Sequence, residues 1–394
     1  NVETLPDGEF LPPWEMNCVE KDIRKKIMAT NKNRYVVQGR CAHLTQPKEI
    51  HIQQGRTQCQ ARSLCERGCP YGGYFSSNAS TIPWAQKTGN LTLKTDSVVH
   101  SVMYDDKKNR AAGVRVIDAQ SKSVTEYFAK IIFVNAACLN TNLILLNSVS
   151  SRFPNGLGND SGLLGKYIAF HNYRGTVSAS YNGPMDEYYY GRRPTQPMMP
   201  NFRNVYRQET DFQRGYMCFY GAGRGRAYTD GIGAEAKDAM TEAGGWHVSM
   251  MMQGETIPKA TNHVRLSSNQ QDAWGIPQLI TSVDYDDNDV KLMKDFLMQG
   301  AEMLDKAGCK DIEQHDSKQA PGLDIHEVGG CRMGKDPKTS LLNKWNQLHH
   351  CGNVFVTDGA CMTSTSTQNP SLTFMALTAR AANYAIDELK KGNL

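Results

Sequence analysis

The sequence lacks the long apolar run of a membrane helix and the long basic run of many nucleic-acid-binding proteins. Its most apolar stretch, residues 131–146, is interrupted by three asparagines and cannot span a bilayer. Lysine and arginine are scattered, and the formal net charge is only +4 over 394 residues. Neither a membrane span nor a nucleic-acid partner is therefore predicted.

Disulfide frameworks and common zinc motifs are also missing. The chain has 11 cysteines, an odd number, and contains no Cys-x-x-Cys pair. It begins at Asn1 without an initiator methionine or a targeting segment, so the sequence leaves localisation unknown. The remaining composition, 40% hydrophobic and 21% charged, is that of an ordinary globular protein with room for two or three domains.

Residue patterns predict a mixed fold. Between Leu91 and Asn135, runs rich in Val, Ile, Tyr and Phe are separated by polar turns, which predicts a three-stranded β-meander. Further strands are expected at 174–180, 216–220, 247–252, 264–266 and 278–284. Helices are expected near 20–29, 77–86, 140–147 and 289–307, the last ending at Gly308. The predicted class is α/β combined with α+β, including an antiparallel sheet with helices on one face.

Two C-terminal motifs carry the chemistry. The first reads HEVGGCRMG from His326, and the second reads TDGACMTSTSTQNPSLTFMALTAR from Thr357. In the second, Asn369 suits a helix N-cap and Pro370 the first helical position. The apolar residues of the helix recur at helical spacing, namely Leu372, Met375, Ala376, Ala379, Ala382 and Ile386. The free N–H groups at such a helix start stabilise negative charge, for example on a reduced ring system.

These motifs, with the block GLGNDSGLLGKYIAFH at 156–171, resemble the glucose–methanol–choline (GMC) family of flavin-dependent oxidoreductases. The resemblance implies part of a GMC-type FAD-binding domain plus an antiparallel-sheet substrate domain like the C-terminal domain of FAD-linked reductases. Residues 1–171 would be the remainder of the FAD-binding domain, residues 172–320 the substrate domain, and residues 321–394 the segment that completes the flavin site. Phe170 stands where relatives often carry an acidic residue, which speaks against a role for His171.

The resemblance also implies the site. His326 would take the hydroxyl proton of an alcohol while FAD takes the hydride, because a neutral imidazole is a base at working pH. Asn369 would orient the substrate oxygen. The implied cofactor contacts are Val98 or Val99 at the adenine, Asp358 and Gly359 at the ribityl–pyrophosphate region, and Asn369, Pro370 and Thr373 at the flavin ring.

A strand–GxGxxG–helix unit, which binds the ADP half of FAD, is not present. The glycines of residues 221–226 follow an aromatic strand and precede no apolar helix, so they are not interpreted as that loop. We therefore expect the chain to be a fragment that binds little FAD and is inactive alone. We also expect an open sheet edge at residues 354–357 and exposed apolar surface on the last helix.

Cys59, Cys65 and Cys69 form a cluster in the sequence, and three thiolates can hold a three-iron (3Fe–4S) centre. Some sugar and sugar-acid dehydrogenases of the family carry an iron–sulfur cluster at a similar place. The alternatives are a disulfide plus a free thiol, buried inert cysteines, or zinc with a fourth ligand such as Cys41.

The predicted function is oxidation of a CH–OH donor (a sugar, polyol or sugar acid) by an FAD-dependent dehydrogenase, with a cytochrome or small subunit as electron acceptor. An oxidase of the same family that uses O2 is one alternative, and a non-catalytic protein without the nucleotide-binding segment is another. The loop with Tyr188–Tyr190 and Arg192–Arg193 is read as either a surface loop or a lid over the substrate.

Overall fold

The computed structural model describes residues 8–62, 65–187, 195–227, 229–323 and 325–394. The candidate lid at Tyr188–Tyr190 and Arg192–Arg193 lies outside these ranges. The chain divides into two compact units. Unit 1 comprises the described parts of Asn1–Leu93, Tyr173–Gly254 and Val290–Lys318, and unit 2 those of Lys94–Asn172, Glu255–Asp289 and Gln319–Leu394. The three-domain division predicted above stays a prediction, and these units differ from it because residues 8–93 group with residues 173–254.

In the described ranges, the helices are α1 (Cys18–Thr30), α2 (Glu49–Gln53), α3 (Thr81–Gln86), α4 (Cys138–Asn147), α5 (Ala234–Ala239), α6 (Asp287–Lys306) and α7 (Ser371–Lys390). The first nine strands are β1 (Val37–Gln38), β2 (Ser97–Asp105), β3 (Arg110–Asp118), β4 (Val124–Phe128), β5 (Ile132–Phe133), β6 (Lys166–Ala169), β7 (His171–Asn172), β8 (Gly175–Tyr181) and β9 (Pro197–Met199). The others are β10 (Tyr216–Arg226), β11 (Ala243–Glu255), β12 (His263–Gln271), β13 (Pro277–Ser282), β14 (Lys310–Asp316), β15 (Val328–Gly330), β16 (Gln347–Leu348) and β17 (Cys351–Phe355).

Unit 1 is built on the predicted antiparallel sheet, with strand order β1-β9-β10-β11-β8-β14. Helix α6 covers part of it, with Leu292 and Phe296 fully buried in the same apolar cluster as Val177 and Met250 of the sheet. The helix α1 buries Ile23 in this cluster, because its apolar residues recur on one side. The glycines at 221–226 lie in β10, which confirms that they form no nucleotide-binding loop.

Unit 2 contains the predicted meander and the C-terminal motifs. The meander β2-β3-β4 is antiparallel, and its two turns contain Asn109 (φ 54°) and Lys122 (φ 59°) in the left-handed region. A second sheet has the order β13-β12-β6-β15. A third has the order β16-β17-β5, in which β17 and β5 are parallel. The mixed α/β and α+β class predicted from the sequence is confirmed.

The predicted open edge at residues 354–357 is wrong, whereas the predicted exposure of the last helix is confirmed. The strand β17 lies between β16 and β5, so both of its sides are paired within this chain, and Val354 and Phe355 are fully buried. Helix α7 buries Ala381 and Ala385, but Leu372 is 74% exposed and Met375 is 46% exposed. The side of α7 with the most regular apolar spacing is therefore the side that this chain leaves uncovered.

Candidate active site

His326 is positioned by the pairing of β15 with β6. Val328 lies opposite Ala169 in this antiparallel ladder, and Gly330 lies opposite Lys166 after a register shift. The two strands are antiparallel, so His326, two residues before Val328, and His171, two residues after Ala169, both lie beyond the same end of this ladder. The rings of the two histidines are in contact, with centroids 5.1 Å apart and planes at 87°.

The imidazole of His326 is neutral, and the backbone of this residue has a strained conformation. Its backbone has φ 74°, which is uncommon for a residue with a side chain. Burial lowers the pKa of His326 to about 4, because the charged imidazolium would lose hydration. Among the described residues no group hydrogen-bonds with Nδ1, although this atom is buried. The ring is therefore a neutral base with one unsatisfied nitrogen.

Asp358 and Gly359 lie beside the His326 segment. The Asp358 carboxylate accepts hydrogen bonds from Thr141 Oγ1 at 2.5 Å and from the backbone N–H of Ala360 at 2.9 Å. Burial raises the pKa of Asp358, and the Thr141 hydroxyl counters this in part. Gly359 approaches the backbone so closely that a Cβ there would lie 2.3 Å from the carbonyl oxygen of Glu327. The structure thus brings Asp358 and Gly359 together with the residue that follows His326.

Two asparagines that were not predicted as site residues, Asn135 before α4 and Asn142 within it, join these segments. Asn142 Nδ2 donates to the carbonyl oxygen of Gly329 at 3.1 Å, and Gly330 (φ 83°) leaves no space for a Cβ, which would lie 2.2 Å from Asn142 Oδ1. Asn135 Oδ1 accepts from the backbone N–H of Thr357 at 2.9 Å. The signal was present in the sequence, since these are two of the asparagines that interrupt the apolar stretch at 131–146.

The start of the last helix differs by one residue from the prediction. Pro370 occupies the N-cap position and α7 begins at Ser371, so Asn369 precedes the cap instead of forming it. Asn369 and Thr373 are exposed, and Pro370 is buried. The preceding segment is anchored by Ser364, whose hydroxyl donates to the carboxylate of Glu255, a second residue that the sequence analysis missed.

Val98 and Val99 both lie on β2 and are half-buried. Val99 lines a cavity of about 410 Å³ between the meander and β5, together with apolar residues such as Val114, Ile132 and Val134. Of the two residues predicted at the adenine, Val99 is therefore the one that faces a cavity.

The sequence profiles described as GMC oxidoreductase match residues 15–171 and residues 258–378, which include the His326 motif and most of the C-terminal one. The chain belongs to the GMC oxidoreductase family.

Curated relatives are longer than this GMC chain. The 2-methyl-1,2-propanediol dehydrogenase of Mycolicibacterium austroafricanum is 29% identical over 364 residues, which cover 87% of this chain and 62% of the relative. The fructose dehydrogenase large subunit of Gluconobacter japonicus is 27% identical over 343 residues, covering 86% of this chain and 61% of the relative. The chain thus spans about three fifths of the length of these relatives.

Solved structures give the same fold. The pyridoxine 4-oxidase from Mesorbium loti superposes with a TM-score of 0.56 at 16% identity, covering 96% of this chain and 70% of that protein. A formate oxidase superposes with a TM-score of 0.57 at 13% identity, covering 79% of this chain and 63% of that protein. At these identities the likeness establishes the fold and not the reaction.

Flavoenzymes of the GMC family bind FAD, and the residues present fit the reactive end of this cofactor. The fit rests on the buried, unsatisfied Nδ1 of His326 and on the exposed start of α7 at Leu372. This fit does not extend to the diphosphate end of FAD, because no strand–GxGxxG–helix unit occurs in the sequence. Low FAD affinity of the chain alone stays a prediction.

The iron–sulfur centre predicted at the cysteine cluster in unit 1 is not supported by the arrangement of the described residues. Across the described ranges no group of three or more His, Cys, Asp or Glu side chains is arranged to hold a metal ion. Cys65 Sγ lies 3.3 Å from His43 Nε2, and Cys41 Sγ lies 2.8 Å from His43 Nδ1. Burial lowers the pKa of His43, so the ring between these two thiols is neutral.

The other two predicted ligands have partners of their own. Cys59 is buried, and its Sγ accepts from the backbone N–H of Ala61 at 3.4 Å. Burial raises the pKa of Cys69, but backbone N–H groups, first that of Tyr74, outweigh it and lower the pKa overall. All 11 cysteines are free thiols, so the disulfide alternative is wrong.

No described helix is long and apolar enough to cross a membrane.

Proposed function

We propose that this chain carries the base and the substrate-facing segment of an FAD-dependent dehydrogenase that oxidises a CH–OH donor. The observation that supports this best is the neutral, half-buried imidazole of His326 next to the Asp358–Gly359 segment. The proposed base and two of the proposed cofactor contacts, Asp358 and Gly359, are thus close together, which supports this proposal.

The oxidation removes a proton from the hydroxyl group and a hydride from the carbon. FAD, when bound, supplies the hydride acceptor. The imidazole of His326 accepts the proton, and with a pKa of about 4 it is more than 99% neutral at pH 7, so it is always ready to do so. Retaining that proton at pH 7 costs roughly 4 kcal/mol, so a negative charge that develops nearby during the reaction must stabilise the imidazolium.

Asn369 is proposed to orient the substrate oxygen. An amide donates a hydrogen bond without competing for the proton, and Asn369 is exposed at the entry to α7, where a substrate can reach it. The first turn of α7 adds unpaired backbone N–H groups at the same place.

A sugar or polyol is the proposed substrate class. This is supported by the names of the relatives, which include dehydrogenases for a diol and for fructose. The fructose enzyme is named a large subunit, which supports a protein partner as electron acceptor. The paromamine 6′-oxidase of Streptomyces fradiae, 27% identical over 349 residues, supports the oxidase as the alternative.

The test replaces His326 by alanine in the FAD-loaded enzyme, meaning an FAD-binding protein that includes this chain, since the chain alone is expected to bind little FAD. We expect the turnover number to fall by about two to four orders of magnitude, because a general base contributes that much, while FAD binding is unchanged. The matched control is His350→Ala, since His350 is an exposed histidine of the same unit.

Three results are informative. A His326→Ala enzyme with an unchanged turnover number would remove His326 from the base role. Rapid peroxide formation with O2 as the acceptor would favour the oxidase over the dehydrogenase. Failure of the FAD-loaded protein to be reduced by a panel of sugars, polyols and sugar acids would favour the non-catalytic alternative.

A further inference from the structure

The ring of His171 packs edge-to-face against the ring of His326, with centroids 5.1 Å apart and planes at 87°. His171 follows Ala169 of β6 by two residues and His326 precedes Val328 of β15 by two, so both lie just beyond the Val328–Ala169 pair. We propose that His171 is a positioning residue, whose ring holds the imidazole of His326 in its working orientation. This rests on the proposed function of His326 as the base.

His171 is the fixed member of the pair. Its side chain is fully buried. The residue before it is anchored by Thr256 Oγ1, which donates to the carbonyl oxygen of Phe170 at 2.6 Å. The residue after it is anchored by Asn172 Nδ2, which donates to the carbonyl oxygen of Asp289 at 3.0 Å. Anchors on both sides leave the His171 ring little freedom to move.

His326 is the member that needs support. Its side chain is half-buried, its backbone is in the left-handed region, and within the described part of the chain nothing hydrogen-bonds with its Nδ1. Catalytic bases are commonly oriented by a third group that hydrogen-bonds with the ring nitrogen remote from the substrate. In the described part of the chain the ring of His171 is in edge-to-face contact with the His326 ring, and we infer that it limits the rotation of that ring.

The proposal revises the interpretation of Phe170 in the sequence. An aromatic residue in place of an acidic one removes a charge next to His171, but it leaves the ring-to-ring contact intact. Phe170 is itself buried and packs edge-to-face on Tyr285, with centroids 5.8 Å apart. The side chain of Phe170 is therefore held in place by its own packing on Tyr285.

The first test uses NMR titration of this chain with ¹³C-labelled histidine rings, with the His326 signal assigned by its loss in His326→Gln. We expect the pKa of His326 to stay low in the native chain and in His171→Phe, which keeps a ring. In His171→Ala we expect the pKa to rise by about one unit or more toward 6.5, because water reaches the freed imidazole.

The second test measures kcat and KM of the FAD-loaded enzyme. We expect His171→Ala to lower kcat by about 10- to 100-fold, as for a base misplaced by about 1 Å, with KM changed less than about threefold. We expect His171→Phe to restore kcat to within about threefold of the native value. If His171→Ala does not fold, His171→Leu, which fills more of the space but has no ring, takes its place.

Two outcomes would overturn the proposal. One is a folded His171→Ala protein in which His326 titrates as in the native chain. The other is equal loss of kcat in His171→Phe and His171→Ala, since packing by a ring would then not be the cause. The NMR titration does not depend on turnover, so failure of the base role of His326 remains distinguishable from failure of the contact.

Discussion

Replacing Gly359 by alanine tests how closely the C-terminal motif must pack against the His326 segment. A Cβ at this position would lie 2.3 Å from the carbonyl oxygen of Glu327 and 3.2 Å from Cβ of Cys138. Real contacts of this kind begin near 3.2–3.4 Å, so one of the two backbones must move by about 1 Å. The atom that obstructs is backbone and not the end of a flexible side chain, so rotation of a side chain cannot relieve the clash.

The displacement falls on the residue next to the base. Because Glu327 follows His326 directly, a shift of about 1 Å in its carbonyl misplaces the imidazole by a similar amount and should lower kcat by about 100-fold. Overpacking of this buried site should also destabilise the fold by roughly 1–3 kcal/mol. The assay is steady-state turnover of the FAD-loaded enzyme, combined with thermal unfolding to show that the variant is folded at the assay temperature.

The matched control is Gly352→Ala in the same unit. Gly352 is an exposed residue of β17, and its added Cβ would meet only the amide nitrogen of Gln347 at 3.5 Å, an ordinary contact. We expect this control to keep kcat within about threefold of the native value, since it moves no backbone near His326. A folded Gly359→Ala enzyme with native kcat would refute the reasoning, as would an equal loss in Gly352→Ala.

Four further predictions follow from other sites. Because the pKa of His326 is about 4, kcat/KM should be level from pH 8 to 5 and fall only as the base is protonated near pH 4; an acid limb near pH 6.5 in the pH profile contradicts this. Burial raises the pKa of Asp289 to about 7, so ionisation of its carboxyl group destabilises the folded state progressively between pH 4 and about pH 7. In urea unfolding, the Asp289→Asn protein should therefore be more stable than the native protein by roughly 1–3 kcal/mol at pH 8 and no more stable at pH 4. A stability equal to that of the native protein at both pH values would argue against this. Thiol titration of the denatured, unreduced protein should count all 11 cysteines, and a shortfall of two would restore the disulfide alternative. Flavin fluorescence should show FAD binding to the isolated chain weaker than about 10 µM, because the sequence offers no glycine-rich loop for the diphosphate, and a nanomolar Kd would contradict this.

Local patterns were enough to place most of the elements. The helix α6 and the meander β2-β3-β4 were predicted because apolar spacing and turn residues act over short distances. The rejection of residues 221–226 as a nucleotide loop was likewise a local argument, and β10 confirms it.

The candidate site depended on contacts that local patterns do not encode. His171 was discounted because Phe170 precedes it, yet the pairing of β6 with β15 brings His171 and His326 to the same end of the ladder, where their rings are in contact. The cysteines at 59, 65 and 69 are neighbours in sequence, but Cys65 contacts His43 whereas Cys59 and Cys69 interact with backbone N–H groups. Spacing along the chain cannot predict this, because the direction of a side chain in an irregular loop is set by backbone hydrogen bonds from distant residues.

By itself, the sequence determined the family, the class of fold and the segments in which the base and the cofactor contacts are proposed, because these depend on motifs whose residues are adjacent in the chain. Only the tertiary structure decided which partners those segments meet: His171 at His326, Glu327 at Gly359, and Asn142 at Gly329. These pairs are far apart in sequence and are brought together by strand register and by burial of one shared core, which are properties of the whole folded unit and not of any single motif.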